Sequence, residues 1–271
     1  MSRFFVDPAA VQGRYIIIDD RNELHHMRRV LRLAPGDELD ISDKTSFEYR
    51  TRIESLSEDE ARLLILDKQK FAREPRLKIT LYQGIPKGSK MDEIIQRSVE
   101  LGVLTIAPVF MERTVVVDRG NFGKKLARWQ KISAEAVKQC RRGLVPQVSE
   151  PQDFAALLDE LSNYDLVVFP YENEENYTLK DLLRQEAAGR RTAGSEAGSE
   201  AGAETGADGA VAGRAIKTVA VLIGPEGGFS EKEAQMLADR GIAGVSLGRT
   251  ILRTETAGPA AIAMIMYELE M

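Results

Sequence analysis

The 271-residue chain is predicted to be an α/β protein, with a small β-rich domain ahead of a larger one built on a mainly parallel sheet. Three observations carry this expectation. Strand-like runs crowd residues 1–72, with a single helical stretch among them. From Leu77 onward strands and helices alternate. The run "IKTVAVLI" at 216–223 is apolar almost throughout, as a strand buried on both faces of a parallel sheet should be.

Each element has a local reason. "RYIIID", "DELDIS", "FEYRTRIESL" and "ARLLILDK" gather β-branched and aromatic residues between turns such as "APGDE" at 34–38. "NELHHMRRVLRL" is the helix that interrupts them, and the set suggests a small barrel or curled sheet over 1–72. In the second domain, 77–271, strands are expected at "LKITLYQG", "LTIAPVF", "DLVVFP", "TVAVLIG" and "GVSLG". Helices are expected near 90–101, 121–142, 178–186, 231–240 and 257–270. Ser230 followed by Glu233 forms a capping box that starts a helix at about Glu231. Pro259 fits the first turn of the last helix, where a missing N–H costs little. Residues 187–214 break the alternation with A-G-S-E twice and then A-G-A-E. With almost nothing bulky to bury they cannot offset their ordering entropy, and a disordered insertion is expected there.

Composition sets bounds. Charged residues at 29% and hydrophobic ones at 43% are ordinary for a soluble protein. No apolar run approaches a membrane span, and the first residues lack the apolar core of a signal peptide. A lone Cys140 fits a reducing compartment, so a cytoplasmic protein without membrane contact is expected. Two histidines and one cysteine argue against a metal site; His25 and His26 would point about 100° apart on a helix. The net charge of −5 offers no global case for nucleic acid, yet positive charge is concentrated. Between Arg119 and Arg142 there are eight Lys/Arg against one acid, Glu135; "HHMRRVLR" is a second cluster, and Lys87 with Lys90 a third. Contact with a phosphate backbone explains that distribution better than solvation does. Trp129 reads as a core anchor.

Two loops carry the chemistry. "LIGPEGGFSEKE" and "GVSLGRTILRTETAGP" each follow a strand, and in open α/β sheets ligands sit beyond the carboxyl ends of strands. Their glycines let a ligand approach the backbone. Neither loop matches G-x-x-x-x-G-K-[ST] or G-x-G-x-x-G, so a triphosphate or dinucleotide is not indicated. A compact, uncharged or cationic organic ligand remains.

These segments resemble the ribosomal RNA small subunit methyltransferase E family of the SPOUT, or α/β-knot, superfamily. "LIGPEGGFSEKE" and "LGRTILRTETA" are similar to its two signature segments; "HHMRRVLRLAPGD", "PKGSKMDEIIQRSVELGV" and "RWQKISAEAVKQCRRGLVP" are similar to earlier ones, in the same order. The likeness covers nearly all of the chain outside 187–214. It implies an N-terminal PUA-like β-barrel for RNA and a C-terminal domain whose chain threads a trefoil knot. It implies a homodimer that uses S-adenosylmethionine to methylate N3 of one uridine near the 3′ end of 16S rRNA in the assembled small subunit. By the same resemblance Gly224, Pro225, Glu226, Gly227 and Gly228 would form one wall of the cofactor pocket, and Leu247, Gly248, Ile251, Leu252 and Arg253 the other. Arg3, His26, Arg29, Arg32, Lys87 and Arg142 would belong to the RNA face. Thr250 stands where the family usually has arginine, with Arg249 next door, and Lys138 stands where an acid is more usual.

Uridine N3 is a poor nucleophile until its proton leaves. Arg253 or a neighbouring arginine is therefore expected to stabilise the developing anion through O2 or O4, as an oxyanion hole would. Glu226 is a candidate base, although a carboxylate at a helix start more often serves the helix or orients a ligand. Two alternatives stay open from sequence: another SPOUT reaction, such as ribose 2′-O-methylation, and an RNA-binding assembly factor without turnover.

Overall fold

The structure, a computed structural model, describes residues 3–71, 74–117, 122–186 and 216–270. The expected insertion at 187–214, and Arg119 of the basic cluster, lie outside them. The chain divides into two compact units, Met1–Glu74 with Ser133–Pro146, and Pro75–Ile132 with Gln147–Met271. The stretch 133–146, assigned on sequence to the second domain, thus clusters with the first unit.

The first unit holds six strands: β1 (Arg3–Phe5), β2 (Val11–Gln12), β3 (Tyr15–Ile18), β4 (Glu38–Ser42), β5 (Phe47–Leu56) and β6 (Ala61–Lys70). Their order is β1-β4-β5-β6-β3-β2; β1 runs parallel to β4 and the other pairings are antiparallel. The sheet keeps two edges, so it is a curled half-barrel. Register shifts in the β5–β6 ladder, at Arg50/Thr51 and Ile53/Ser55, supply the kind of local bend that curls a sheet. Alternate residues of β3, β4 and β5 (Ile16, Ile18, Leu39, Ile41, Tyr49, Ile53) turn into one core, joined by Phe4, Leu24, Met27 and Leu63. The predicted helix is shorter than its sequence pattern: α1 (Arg21–His25) passes into one π-helical turn, His26–Val30. Asp20 starts it, its Oδ1 accepting from the amides of Asn22 and Glu23 at 2.9 Å.

The second unit is an α/β layer. Its strands are β7 (Lys78–Gly84), β8 (Thr105–Phe110), β9 (Gln147–Val148), β10 (Gln152–Asp153), β11 (Leu166–Pro170), β12 (Thr218–Ile223) and β13 (Gly244–Val245). They lie in the order β10-β8-β7-β12-β11-β13, with β9 beside β8, and every pairing among the described residues is parallel. The helices are α2 (Lys90–Glu100), α3 (Phe122–Cys140), α4 (Phe154–Glu160), α5 (179–186), α6 (Glu231–Ala238) and α7 (Thr254–Leu269). From Ser133 onward α3 counts with the first unit. β12 is buried on both faces: Ala220 and Leu222 join Tyr82, Val109, Leu157 and Phe229 in one core layer, while α7 packs against β12, β7 and α2. Trp129 is buried, edge-on to Phe122, as a core anchor should be.

Three differences from the sequence reading have physical causes. The expected strand "GVSLG" shortens to two residues because Ser246 changes partner, bridging Thr178 in place of β11, and Gly248 follows at φ 141°. The last helix begins at Thr254, three residues before the expected 257. Pro259 therefore sits in the second turn, where it removes the rung that would reach the carbonyl of Glu255. α4 was not foreseen, although Asp153 before an apolar run is a start signal; its Oδ1 accepts from the Ala156 amide at 2.8 Å.

Candidate active site

A sheet of parallel strands presents all its carboxyl ends along one edge. In the second unit β7, β11, β12 and β13 deliver four segments to that edge: 84–90, 171–172, 224–230 and 246–253. Between them lies a cavity of about 470 Å³, within the usual range for a small organic ligand. All ten residues expected to hold the cofactor line it: Gly224 to Gly228 on one side, Leu247, Gly248, Ile251, Leu252 and Arg253 on the other. Thr250 lines it too, and Arg249 does not.

Glycine is needed here for space as much as for angle. A Cβ on Gly224 would meet the backbone of Gly228 at 2.9 Å, and one on Gly84 would meet Pro225 at 2.5 Å. Gly228 adds a positive φ of 67°, which side chains disfavour. The predicted capping box follows at once. Ser230 Oγ accepts from the Glu233 amide at 3.2 Å, while Glu233 Oε2 accepts from the Ser230 amide at 2.8 Å. Glu226 has no part in starting that helix.

Two clasps join the walls, and neither was legible in the sequence. The inner one centres on Gln83, fully buried in β7. Its Nε2 donates to Thr254 Oγ1 at 2.8 Å and to the Gly224 carbonyl at 3.3 Å, and the Thr254 hydroxyl donates to that carbonyl at 2.7 Å. A glutamine directly after the apolar Leu81 and Tyr82 was the available signal, since a buried amide donor seeks partners. The outer clasp is Lys90, at the first turn of α2. Its Nζ lies 2.9 Å from Glu226 Oε1 and 3.8 Å from Glu255 Oε2. The Lys87 amide also donates to Glu226 Oε1 at 3.0 Å.

This arrangement makes Glu226 a fixed anion. Burial pulls its carboxyl upward, but hydrogen bonds from Lys90 and the Lys87 amide outweigh that and hold it below the ordinary carboxylate range. Hydrogen bonding to Glu226 pushes Lys90 upward in turn. A depressed carboxylate contributes its stabilisation above its unfolded pKa and loses it as pH falls through the folded value. The clasp is therefore intact at neutral pH and is lost in acid as Glu226 is protonated and in strong alkali as Lys90 is deprotonated. A base held in an ion pair is poorly suited to take a proton. Lys90→Met should weaken ligand binding by up to about fivefold, the scale of a partly exposed pair. It should also flatten the salt dependence of binding, which calorimetric titration at two ionic strengths would read.

The residues expected on an RNA face divide. Arg3 is consumed internally, its Nη2 pairing with Glu48 at 2.5 Å and its Nη1 donating to the carbonyls of Arg141 and Arg142 at 2.9 Å. Arg142 is buried and paired with Glu74 at 2.9 Å. Both side chains act as braces of the first unit and do not present an open cationic face. His26 is half-buried, its ring tilted against Phe4 at 5.7 Å. Arg29 and Arg32 are exposed in the first unit, and Lys87 is exposed in the second. Among the described residues no group of His, Cys, Asp and Glu is arranged to hold a metal. No helix among them is long and apolar enough to cross a membrane.

Comparison with known proteins matches both units. Residues 73–266 match an RNA methyltransferase domain, and residues 18–66 match an RNA methyltransferase PUA domain. The chain is 32% identical over 252 residues to the ribosomal RNA small subunit methyltransferase E of Bacillus subtilis (strain 168), covering 92% of this chain and 89% of that one. The crystal structure of a ribosomal RNA small subunit methyltransferase E from Neisseria gonorrhoeae, bound to S-adenosyl methionine, is similar at 30% identity. It superposes with a TM-score of 0.77 over 98% of this chain and 97% of that one. A methyltransferase from Legionella pneumophila in complex with the same cofactor, 27% identical, has a TM-score of 0.76 over 98% and 96%. A curled half-barrel with a PUA match, a parallel-sheet methyltransferase unit and these relatives over nearly its whole length place the chain in the ribosomal RNA small subunit methyltransferase E family.

Proposed function

We propose that the protein uses S-adenosylmethionine to methylate N3 of one uridine near the 3′ end of 16S rRNA, in the assembled small subunit. The observation that carries this is the cavity at the carboxyl edge of the parallel sheet, walled by Gly224–Gly228 and Leu247–Arg253. Its size, its exposed backbone and the exclusion of side chains at Gly84 and Gly224 fit a compact organic cofactor held by main-chain groups. When bound, S-adenosylmethionine supplies an electrophilic methyl group on a sulfonium.

The chain's own residues supply alignment and charge. Gln83 and Thr254 set the spacing of the two walls, and Lys90 holds Glu226 and Glu255 at the rim. Arg253 lines the cavity and is exposed, and among the described residues its guanidinium has no hydrogen-bond or ion-pair partner. It is free to meet the negative charge that spreads over O2 and O4 as N3 gives up its proton. Glu226, paired with Lys90, acts as an orienting anion. Arg253→Ala should lower turnover on small subunits by roughly 100-fold, the usual cost of one such donor, a larger loss than any in cofactor affinity. Single-turnover kinetics beside calorimetry would show this; unchanged turnover would remove Arg253 from the mechanism.

Arg29, Arg32, His26 and Lys87 are the side chains proposed to meet rRNA, in a cytoplasmic setting. A homodimer is part of the same reading, supported by apolar side chains left open on and before α7: Ile251 is 84% exposed, Met264 42% and Tyr267 72%. So is a trefoil knot formed by the chain around the two walls. The deciding experiment is methylation of small subunits lacking the modification, followed by mapping of the altered base by nucleoside mass spectrometry. A methyl on a ribose 2′ oxygen would redirect the assignment, and no transfer at all would indicate a binding protein.

A further inference from the structure

Among the described residues three carboxylates line the cavity: Glu172, Glu226 and Glu255. Glu226 and Glu255 share Lys90. Glu172 is exposed at the edge of the cavity and has no hydrogen-bond or ion-pair partner among the described residues. It lies against the α-carbon of Gly228, where a Cβ would come within 1.9 Å of Oε1. Gly228 is favoured by its positive φ of 67°, and its lack of a Cβ leaves the room that this carboxylate occupies.

Position indicates what the group is for. Glu172 follows β11 by two residues, and β11 lies directly beside β12, the strand that feeds the glycine-rich wall. The dinucleotide-binding fold, whose fingerprint this chain lacks, offers a chemical parallel: there an acidic side chain near the glycine loop accepts from a ribose hydroxyl. The chemistry suits that role, since an ionised carboxylate is acceptor-only, and its two oxygens match two vicinal O–H donors. We propose that Glu172 accepts hydrogen bonds from the ribose 2′ and 3′ hydroxyls of an adenosyl ligand in this cavity. The proposal rests on the methyl-donor reading above and makes Glu172 a determinant of ligand choice beside the backbone walls.

The same carboxylate could instead take the ammonium of the donor's amino-acid tail, and ligands lacking one group or the other separate the two. The probes are S-adenosylhomocysteine, 5′-methylthioadenosine (ribose but no amino-acid tail) and 2′-deoxy-5′-methylthioadenosine, titrated calorimetrically into wild type, Glu172→Ala and Glu172→Gln. Glu172→Gln keeps the side chain's size over Gly228, and thermal melting checks that each variant is folded. The expected result is a loss of roughly 10-fold or more in methylthioadenosine affinity for Glu172→Ala, the scale of hydrogen bonds to a charged acceptor. That variant should also no longer distinguish ribose from 2′-deoxyribose, whereas wild type does. Unchanged methylthioadenosine binding in a folded Glu172→Ala would overturn the proposal. So would a loss confined to S-adenosylhomocysteine, which would assign the carboxylate to the ammonium. If wild type bound none of the three, the donor reading itself would fail, a result distinct from either of those.

Discussion

Gly84→Ala is expected to cost the protein most of its cofactor binding while leaving it folded. A Cβ at this position, the last residue of β7, would lie 2.5 Å from both the nitrogen and Cδ of Pro225 and 2.9 Å from the Gly224 carbonyl carbon. These are backbone and ring atoms, with no flexible side-chain end to swing away, so the 224–228 wall must move or β7 must yield. Overpacking of this kind typically costs about 1–3 kcal/mol. Concentrated in the wall that shapes the cavity, it should appear as a loss of roughly 10- to 100-fold in S-adenosylmethionine affinity. A modest drop in melting temperature, about 2–4 °C per kcal/mol for a chain of this length, should accompany it. Gly123→Ala is the matched control: its Cβ would meet nothing within 4 Å, and it sits in α3. That change should be neutral or slightly stabilising, because alanine is the better helix former. Calorimetric titration and thermal melting of both variants decide the matter. Wild-type affinity in Gly84→Ala would mean that the wall slides without cost.

Glu74→Ala is expected to be the most destabilising single change in the first unit. Glu74 Oε2 accepts from Arg142 Nε at 3.2 Å and Nη2 at 2.9 Å, and Oε1 accepts from the amides of Gly143 and Leu144 at 2.7 and 2.9 Å. The Arg142 and Glu74 side chains are only 6% and 11% exposed. Deleting the carboxylate removes the charged partner of a buried guanidinium and the acceptor of two main-chain donors together. Breaking one side of a buried ion pair costs about 3–5 kcal/mol, because the remaining charge stays out of water. Equilibrium urea unfolding should show the midpoint fall by a corresponding amount. A change below about 1 kcal/mol would mean that Arg142 reaches solvent once released.

How far the site could be read in advance follows from which features are local. The glycine-rich wall was legible because its determinants lie within a dozen residues: an apolar strand, then Gly224-Pro225-Glu226-Gly227-Gly228, then Ser230 and Glu233 capping α6. β5 could be read to the residue because turn formers bracket a run of alternating burial. Arg3 and Arg142 illustrate the opposite case. The family resemblance placed both on the RNA face, but a residue type does not reveal its partner, and Glu48 and Glu74 stand 45 and 68 residues away in the chain. Gln83 and Lys90 were invisible as clasps for the same reason, since the groups they hold lie 136 to 171 residues further on.

By itself the sequence determined the β-rich and α/β character of the two parts and the two glycine-bearing loops that line the cavity. Periodicity, capping and glycine placement act within a few residues, and propensity records them. Only the tertiary structure decided that segment 133–146 packs with the N-terminal unit, that β7 and α2 clasp both walls, that two arginines brace the first unit, and that Glu172 lies over Gly228. Each of those depends on which distant groups meet when a core closes, and a buried donor or charge takes whatever partner the packing brings within about 3 Å.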